Sequence, residues 1–124
     1  MILVTGATGF LGRHLIPLLV SNGYRVRALI RPSSDTTFLQ SQPIELATAA
    51  DITDLDGVAR ACQGCTAVIH AAGLFRFWGD RAWFWQTNVR GTEVVLAAAR
   101  QADVDRFVHV STVAVIGDTP AGVI

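Results

Sequence analysis

Short apolar runs alternate with longer amphipathic stretches along most of the chain. Short runs bounded by glycine, proline or polar residues are typical of strands, whereas apolar residues spaced by three or four are typical of helices. The pattern predicts five strands, at residues 2–5, 24–30, 44–47, 67–70 and 106–111. It predicts three helices between them, at residues 10–22, at 55–62, and from 82 or 83 to 102.

The predicted helices have apolar faces that indicate how they pack. The first has a stripe formed by Phe10, Leu11, His14, Leu15, Leu18 and Leu19. Pro17 lies inside this helix and lacks the amide that would bond the carbonyl of Arg13, so we expect a kink or a displaced first turn. Asp54 is expected to cap the second helix. The longest helix is expected to face the sheet with Val89, Thr92, Val95, Leu96 and Ala99.

Strands that alternate with helices at this spacing predict an α/β fold with a doubly wound parallel sheet. Right-handed crossovers then give the strand order 3-2-1-4-5. The 124 residues suffice for one domain, to which we assign residues 1–124. A hydrophobic content of 51% with only 16% charged residues fits a buried parallel sheet. No helix pattern follows the fifth strand, so we expect this domain to be incomplete.

Charge and hydropathy exclude several classes of partner. The chain has ten arginines, no lysine and ten acidic residues, so its net charge is zero. Because nucleic-acid binding needs a basic stripe, we expect no nucleic-acid partner. The apolar runs are too short to span a bilayer, and no signal-peptide pattern precedes the first strand. We therefore expect no membrane association and a cytoplasmic location.

The cysteines do not predict a metal site. Cys62 and Cys65 form a C-x-x-C pair at the end of a predicted helix, but a zinc site needs two more ligands. The three histidines do not lie at ligand spacing. We interpret the pair as small side chains that pack a helix-to-strand connection.

The strongest signal for a ligand is the glycine spacing after the first strand. Gly6, Gly9 and Gly12 follow that strand as G-x-x-G-x-x-G and lead into the first helix. Glycine lets the backbone approach a diphosphate closely, and the first amides of the helix point at the phosphates. A strand before and a helix after are the context that such a motif needs. The motif predicts a dinucleotide site.

Five motifs occur in an order that resembles a known superfamily. They are residues 5–12, 51–52, 70–73, 88–92 and 110–117. Together they resemble the extended short-chain dehydrogenase/reductases, in particular the NAD(P)-dependent epimerase/dehydratase group and its sugar-epimerase-like and dihydroflavonol-reductase-like members. The resemblance covers the whole chain. It implies a Rossmann fold that is truncated before the C-terminal substrate region.

The resemblance also implies a set of cofactor-binding residues. They are Gly6, Thr8, Gly9, Phe10, Leu11, Gly12, Arg31, Asp51, Ile52, Ala71, Ala72, Gly73 and Asn88. The glycines and the amides of Phe10 and Leu11 would hold the pyrophosphate, and Asp51 and Ile52 would contact the adenine. A turn or capping role for Asp51 and a purely structural role for Asn88 stay open.

Thr112 matches the family position whose hydroxyl bonds the substrate oxygen, with Ser111 as the fallback. It is our one candidate catalytic residue; as the alternative, its hydroxyl bonds only the backbone at a strand end.

Arg31 stands about twenty residues after the glycines, where NAD enzymes usually place a carboxylate. An arginine followed by Ser33 and Ser34 favours NADP over NAD. A solvated arginine without a role is the alternative.

Residues 74–85 contain six of the ten aromatic residues. Core packing or contact between helices is the favoured interpretation; a wall beside the nicotinamide, or a lid, is the alternative. His70 and His109 lie in apolar strands and are expected in the core.

The family pattern includes a Tyr-x-x-x-Lys pair that transfers a proton. This chain has no lysine, and its one tyrosine is Tyr24. We therefore expect the N-terminal piece of an oxidoreductase, epimerase or dehydratase. It would act by hydride transfer on a small-molecule substrate, either a nucleotide sugar or a small alcohol or ketone. A non-catalytic NAD(P)-binding regulator is the alternative, and the long helix offers a surface for a homodimer.

Overall fold

The computed structural model describes residues 1–117, apart from the side chain of Ile116. Its strands are β1 (Ile2–Thr5), β2 (Val26–Ile30), β3 (Glu45–Thr48), β4 (Ala67–His70) and β5 (Arg106–His109). All neighbouring strands are parallel, in the order β3-β2-β1-β4-β5. The predicted fold class and strand order are confirmed.

The helices cover the sheet from both sides. They are α1 (Phe10–Ser21), α2 (Thr37–Gln40), α3 (Leu55–Cys62), α4 (Arg81–Phe84) and α5 (Gly91–Gln101). A π-helical segment, Trp85–Arg90, joins α4 to α5, and a 3₁₀ turn spans Val113–Ile116. The short helix α2 was not predicted. The predicted long helix is one helical run with a π-helical interior.

β1 contributes to two separate cores because successive residues of a strand face opposite sides. Leu3 packs in a cluster with α3 and α5, whereas Val4 packs in a cluster with α1. Both side chains are fully buried. Burying a side chain of this size contributes about 1.5–3 kcal/mol, so this strand anchors both layers.

α1 contacts the sheet through a different face from the predicted stripe. Gly12 and Ile16 are its buried residues, whereas Phe10 is 84% exposed and Leu18 is also exposed. A Cβ at Gly12 would lie 2.4 Å from the carbonyl oxygen of Ala7, so the helix makes its close approach there. The stripe prediction was therefore wrong for Phe10, Leu11, His14 and Leu18, which are exposed, but right for Leu15 and Leu19, which pack against the core. The helix runs to Ser21, so the proline inside it does not end it.

α5 also faces the sheet with a shifted set of residues. It buries Gly91, Val94, Val95, Ala98 and Ala99. Of the predicted set, Val95 and Ala99 are buried, but Leu96 is exposed. The π-helical segment holds more residues per turn than an α-helix, which rotates the buried face of the helix that follows.

Several expectations about burial and strand ends were wrong. β2 begins at Val26 and β5 ends at His109, so both strands are shorter than predicted. β3 lies one residue later than predicted. His109 is exposed, and Phe75, Phe77 and Trp78 are 79–87% exposed rather than packed in the core.

The Asp54 cap is confirmed. Its carboxylate accepts hydrogen bonds from the amides of Gly57 and Ala50, at 3.0 and 2.9 Å. The bonds from Ala50 and Gly57 lower the pKa of Asp54.

Cys62 and Cys65 are buried and form no disulfide, and burial raises the pKa of Cys62 to about 11. Across residues 1–117, no helix has the length and apolar character needed to cross a lipid bilayer.

Candidate functional site

A cleft of about 550 Å³ opens at the carboxyl end of the sheet. Its walls come from the ends of β1, β2 and β4, the loop after β3, and the π-helical segment. In open parallel sheets, ligands bind at this edge where the chain crosses from one face to the other. β1 is the strand at which the connections change direction here.

The three glycines at the end of β1 have different reasons to be glycine. Gly6 has a φ of +71°, and a Cβ there would lie 2.6 Å from the backbone of Ala71. Gly12 packs against Ala7 in the same way. A Cβ at Gly9 would meet only the carbonyl oxygen of Gly6, at 3.2 Å, and would otherwise project into open space. Gly9 is therefore the glycine that keeps the cleft open.

The start of α1 offers unpaired amides to a ligand. The amide of Gly9 donates to the carbonyl of Gly6 (3.0 Å), and the amide of Arg13 makes the first bond of the helix, to the carbonyl of Gly9 (3.1 Å). Within residues 1–117, the three amides between them, of residues 10–12, have no acceptor. Such amides and the helix dipole form a seat for an anion.

A buried chain of hydrogen bonds holds the end of β4 against the glycine turn. The hydroxyl of Thr92 donates to the carbonyl of Asn88 (2.8 Å), so it accepts from Nε2 of His70 (3.0 Å). Nδ1 of His70 then accepts from the hydroxyl of Thr5 (2.7 Å), which accepts from the amide of Ala72 (3.1 Å). Every donor in this chain has one acceptor.

The imidazole of His70 is neutral in this network. The side chain is fully buried, and this burial, with a smaller contribution from His109, lowers the pKa of His70 to about 4. The two rings stack with their centroids 5.3 Å apart. His70 was correctly expected in the core, but its bonds to Thr5 and Thr92 were not visible in the sequence.

Asn88 fixes the segment after β4. Its amide nitrogen donates to the carbonyl of Leu74 (2.9 Å), and its amide oxygen accepts from the Leu74 amide (2.7 Å). Asn88 does not line the cleft. The structural role that the sequence left open for this residue is the one that its side chain has in the structure.

Asp51 and Ile52 line the cleft beyond β3. Oδ1 of Asp51 accepts hydrogen bonds from the amide and the hydroxyl of Thr53, both at 2.6 Å. Ile52 packs on Gly91, where a Cβ would lie 2.5 Å from Cγ2 of the isoleucine. Asp51 is therefore both a turn residue and a residue of the cleft wall.

Arg31 lies on the same wall, at the end of β2. Its amide donates to the hydroxyl of Ser34 (3.1 Å), which also lines the cleft. Within residues 1–117, the guanidinium of Arg31 forms no ion pair. A cation and a hydroxyl are thus available next to each other.

Thr112 is exposed and lies outside the cleft wall. Its hydroxyl oxygen accepts from the amide of Ala114 (3.3 Å) and caps the 3₁₀ turn. This is the backbone-bonding arrangement that the sequence left open. It leaves the hydroxyl hydrogen available to a ligand.

The structure brings together nine of the predicted site residues as cleft lining. They are Gly6, Thr8, Gly9, Arg31, Asp51, Ile52, Ala71, Ala72 and Gly73. The others do not line it: Phe10, Leu11, Gly12, Asn88 and Thr112. Sequence reasoning missed Arg76, Gln86 and Thr87, which also line it. The feature of the sequence that could have indicated Arg76 was its position, three residues after the predicted cofactor-binding residue Gly73.

The comparisons with known proteins agree with this geometry. The model of the NAD dependent epimerase/dehydratase family matches residues 2–123. The chain belongs to this family. Among its relatives, a putative dihydroflavonol 4-reductase of Synechocystis is 42% identical over 115 residues, which cover 92% of this chain and 33% of the relative. The 4-hydroxy-2-methyl-3-oxo-4-farnesyl-3,4-dihydroquinoline-1-oxide ketoreductase of Stigmatella aurantiaca is 44% identical over 118 residues, covering 93% and 34%.

A solved structure with bound NAD has the same fold. A short-chain dehydrogenase/reductase superfamily protein of Agrobacterium tumefaciens, crystallised with bound NAD, has a TM-score of 0.75 and 34% identity. The match covers 90% of this chain and 32% of that one. This chain spans about a third of the length of the curated relatives that it matches. The predicted membership of the short-chain dehydrogenase/reductase superfamily is confirmed.

Proposed function

We propose that this chain is the NADP(H)-binding part of an oxidoreductase, epimerase or dehydratase that acts by hydride transfer. The observation that carries the proposal is the glycine turn, where Gly9 leaves open space beside three unpaired amides. The cofactor supplies or accepts the hydride when it is bound. The chain's own residues bind and orient the cofactor.

The cleft and the adjoining start of α1 offer groups that suit each part of a dinucleotide. The amides at the start of α1 suit the diphosphate. Ile52 supplies an apolar surface for the adenine, and the Asp51 carboxylate can accept its exocyclic amine. Arg31 and Ser34 suit a 2′-phosphate, which a carboxylate at this position would repel. The proposed preference for NADP over NAD rests on these two residues.

The substrate in this proposal is a small alcohol or ketone, or a nucleotide sugar. The printed names of two relatives, a dihydroflavonol reductase and a ketoreductase, favour the alcohol or ketone. Thr112 would donate its hydroxyl hydrogen to the reacting oxygen. The proton-transfer pair would have to come from outside these residues, because the chain has no lysine.

Substitution of Gly9 tests dinucleotide binding. In Gly9→Val the added methyl groups project into the cleft, so NADPH affinity measured by calorimetry is expected to fall by more than about tenfold. Thermal unfolding is the control, because little of the fold contacts this position. Equal affinity for NADPH in the variant and the unmodified chain contradicts the proposal.

Substitution of Arg31 tests the preference for NADP. Arg31→Asp is expected to lower the affinity for NADPH relative to NADH by about ten- to a hundredfold, the range typical of a charged hydrogen bond. NADH binding serves as the internal control for folding. An unchanged ratio of the two affinities means that the arginine is merely solvated.

A homodimer through α5 is part of the proposal. The exposed side of this helix has an apolar centre, Leu96, between Glu93 and Arg100. Sedimentation of the unmodified chain and of Leu96→Arg distinguishes the two states. A dimer that dissociates in the variant supports this surface, and a monomer in both excludes it.

A further inference from the structure

Arg76 lines the cleft, but no ion pair or hydrogen bond of its side chain within residues 1–117 accounts for an arginine there. The charged side chains of the cleft wall are Arg31, Arg76 and Asp51. Within residues 1–117, neither arginine forms an ion pair or a side-chain hydrogen bond, and of the arginines in this range without such a partner these two are the ones that line the cleft. The cleft therefore holds two uncompensated cations on different segments of the chain.

The segment that bears Arg76 begins against the glycine turn. The backbone of Ala71 lies 2.6 Å from the position of a Cβ on Gly6, and the amide of Ala72 donates to Thr5. Leu74 is held by both polar atoms of the Asn88 side chain. Arg76 thus follows, by two residues, an anchored point, Leu74, that lines the same cleft as Gly6 and Gly9.

A dinucleotide with a 2′-phosphate has two separate anionic groups, and each of the two arginines can bind one of them. Its diphosphate carries two negative charges, but the glycine turn offers only the partial charges of amides. Arg31 lies at the end of β2 beside Ser34, and Asp51 brings a negative charge to the wall after β3. Arg76 is the formal cation on the segment whose first residues, Ala71 and Ala72, contact the turn.

We propose that Arg76 binds the diphosphate of the dinucleotide, so that Arg31 is left to bind the 2′-phosphate. This inference rests on the proposed function and deepens it. Arg76 then recognises the part that NAD and NADP share, whereas Arg31 recognises the part that differs. A guanidinium suits this task because it forms two parallel hydrogen bonds to phosphate oxygens.

Two small probes separate these tasks. ADP carries a diphosphate without a 2′-phosphate, and 2′-AMP carries the 2′-phosphate without a diphosphate. Dissociation constants from NMR titration are compared for the unmodified chain, Arg76→Ala and Arg31→Ala. Arg81→Ala is the matched control, since Arg81 begins α4 directly after this connection and is exposed, but does not line the cleft.

We expect Arg76→Ala to weaken ADP by about tenfold or more and to leave 2′-AMP unchanged. Arg31→Ala is expected to show the reverse pattern, and Arg81→Ala to bind both probes as the unmodified chain does. Arg76→Lys should retain part of the ADP affinity, because it keeps the charge. NADPH and NADH should weaken by the same factor in Arg76→Ala.

Other outcomes overturn the inference. If Arg76→Ala binds ADP as well as the unmodified chain does, or loses only 2′-AMP, Arg76 does not bind the diphosphate. Equal losses in Arg76→Ala and Arg81→Ala indicate a general effect of charge and exclude a specific contact. If the unmodified chain binds neither probe nor NADPH, the proposed function itself fails, and this inference fails with it.

Discussion

At the scale of single residues, His70 shows how polar groups can be buried without loss of stability. A buried polar group left without a partner costs about 1–3 kcal/mol. Within residues 1–117, every buried side-chain nitrogen or oxygen has a partner. The hydroxyls of Thr5 and Thr92 satisfy both ring nitrogens of His70 when the ring is neutral and protonated on Nε2.

This neutrality predicts a loss of stability in mild acid. The pKa of His70 is about 4 in the folded chain, against a usual value of 6.5. Between these values the unfolded chain binds a proton that the folded chain does not. The free energy of unfolding therefore falls as the pH drops from 6.5 towards 4. From pH 7 to pH 5 we expect a loss of about 2 kcal/mol, measured by urea denaturation.

His70→Gln is the control for this pH dependence. Glutamine does not titrate, so the step between pH 7 and pH 5 should shrink even if the variant is less stable throughout. Asp35, Glu45 and Asp54 also have lowered pKa values, because they accept hydrogen bonds. These carboxylates therefore bind protons, and lose stability for the fold, at a lower pH than the step between pH 7 and pH 5. If the unmodified chain and His70→Gln lose the same stability between pH 7 and pH 5, groups other than His70 cause the loss.

At the scale of elements, the connection after β4 is held near its start by contacts on two sides. Thr5 holds Ala72 at the start, and the helical run holds Leu74 through Asn88. Beyond these points the aromatic residues of the connection are exposed. A segment that is anchored at its base and exposed at its tip can position Arg76 while it admits a ligand.

Asn88→Ala should release this connection without unfolding the helix. The helical run keeps its packing through α5, but Leu74 loses both of its side-chain partners. We expect faster hydrogen exchange at the Leu74 amide and weaker NADPH binding. Asn22→Ala is a matched control, because Asn22 also bonds a backbone carbonyl but lies at the far end of α1. Unchanged exchange at Leu74 would mean that other contacts hold the connection.

The elements also show how far the sequence predicts this structure. The strands and their order follow from apolar runs and crossover handedness, which are local or general properties. Burial depends on what covers a residue, so an apolar pattern could not show that Phe77 and His109 would be exposed. The glycine spacing predicted the turn, but only coordinates distinguish Gly9, which faces open space, from Gly12, which packs on Ala7. Arg76 was not predicted as a cleft residue, because the segment around it was interpreted by its aromatic residues.

At the scale of the whole molecule, the cleft and the single tyrosine lie at opposite ends of the sheet. Tyr24 is 55% exposed and precedes β2, so it lies at the amino end of the strands. The cleft lies at their carboxyl ends. Tyr24 cannot transfer a proton to a substrate bound beside the cofactor.

The 124-residue chain is therefore expected to bind a cofactor without measurable turnover. Thr112 can orient an oxygen, but an ordinary hydroxyl is a poor acid or base near neutral pH. Loss of a general acid or base alone lowers a rate by about 10²–10⁴. The measurement is NADPH absorbance with ketone and nucleotide-sugar substrates. Reproducible turnover that Thr112→Ala abolishes would show that these residues suffice for catalysis.

β1 comes first in the chain and lies at the centre of the sheet. Its residue Ile2 pairs with Val26 on one side and with Ala67 on the other, so neither pairing is local. Loop closure over such separations costs conformational entropy before burial offsets it, and folding slows as contacting residues lie further apart in sequence. Leu3 and Val4 join the two cores, so neither core is complete while this strand is unpaired. We therefore expect slow and cooperative folding, as a consequence of the position of the four residues of β1.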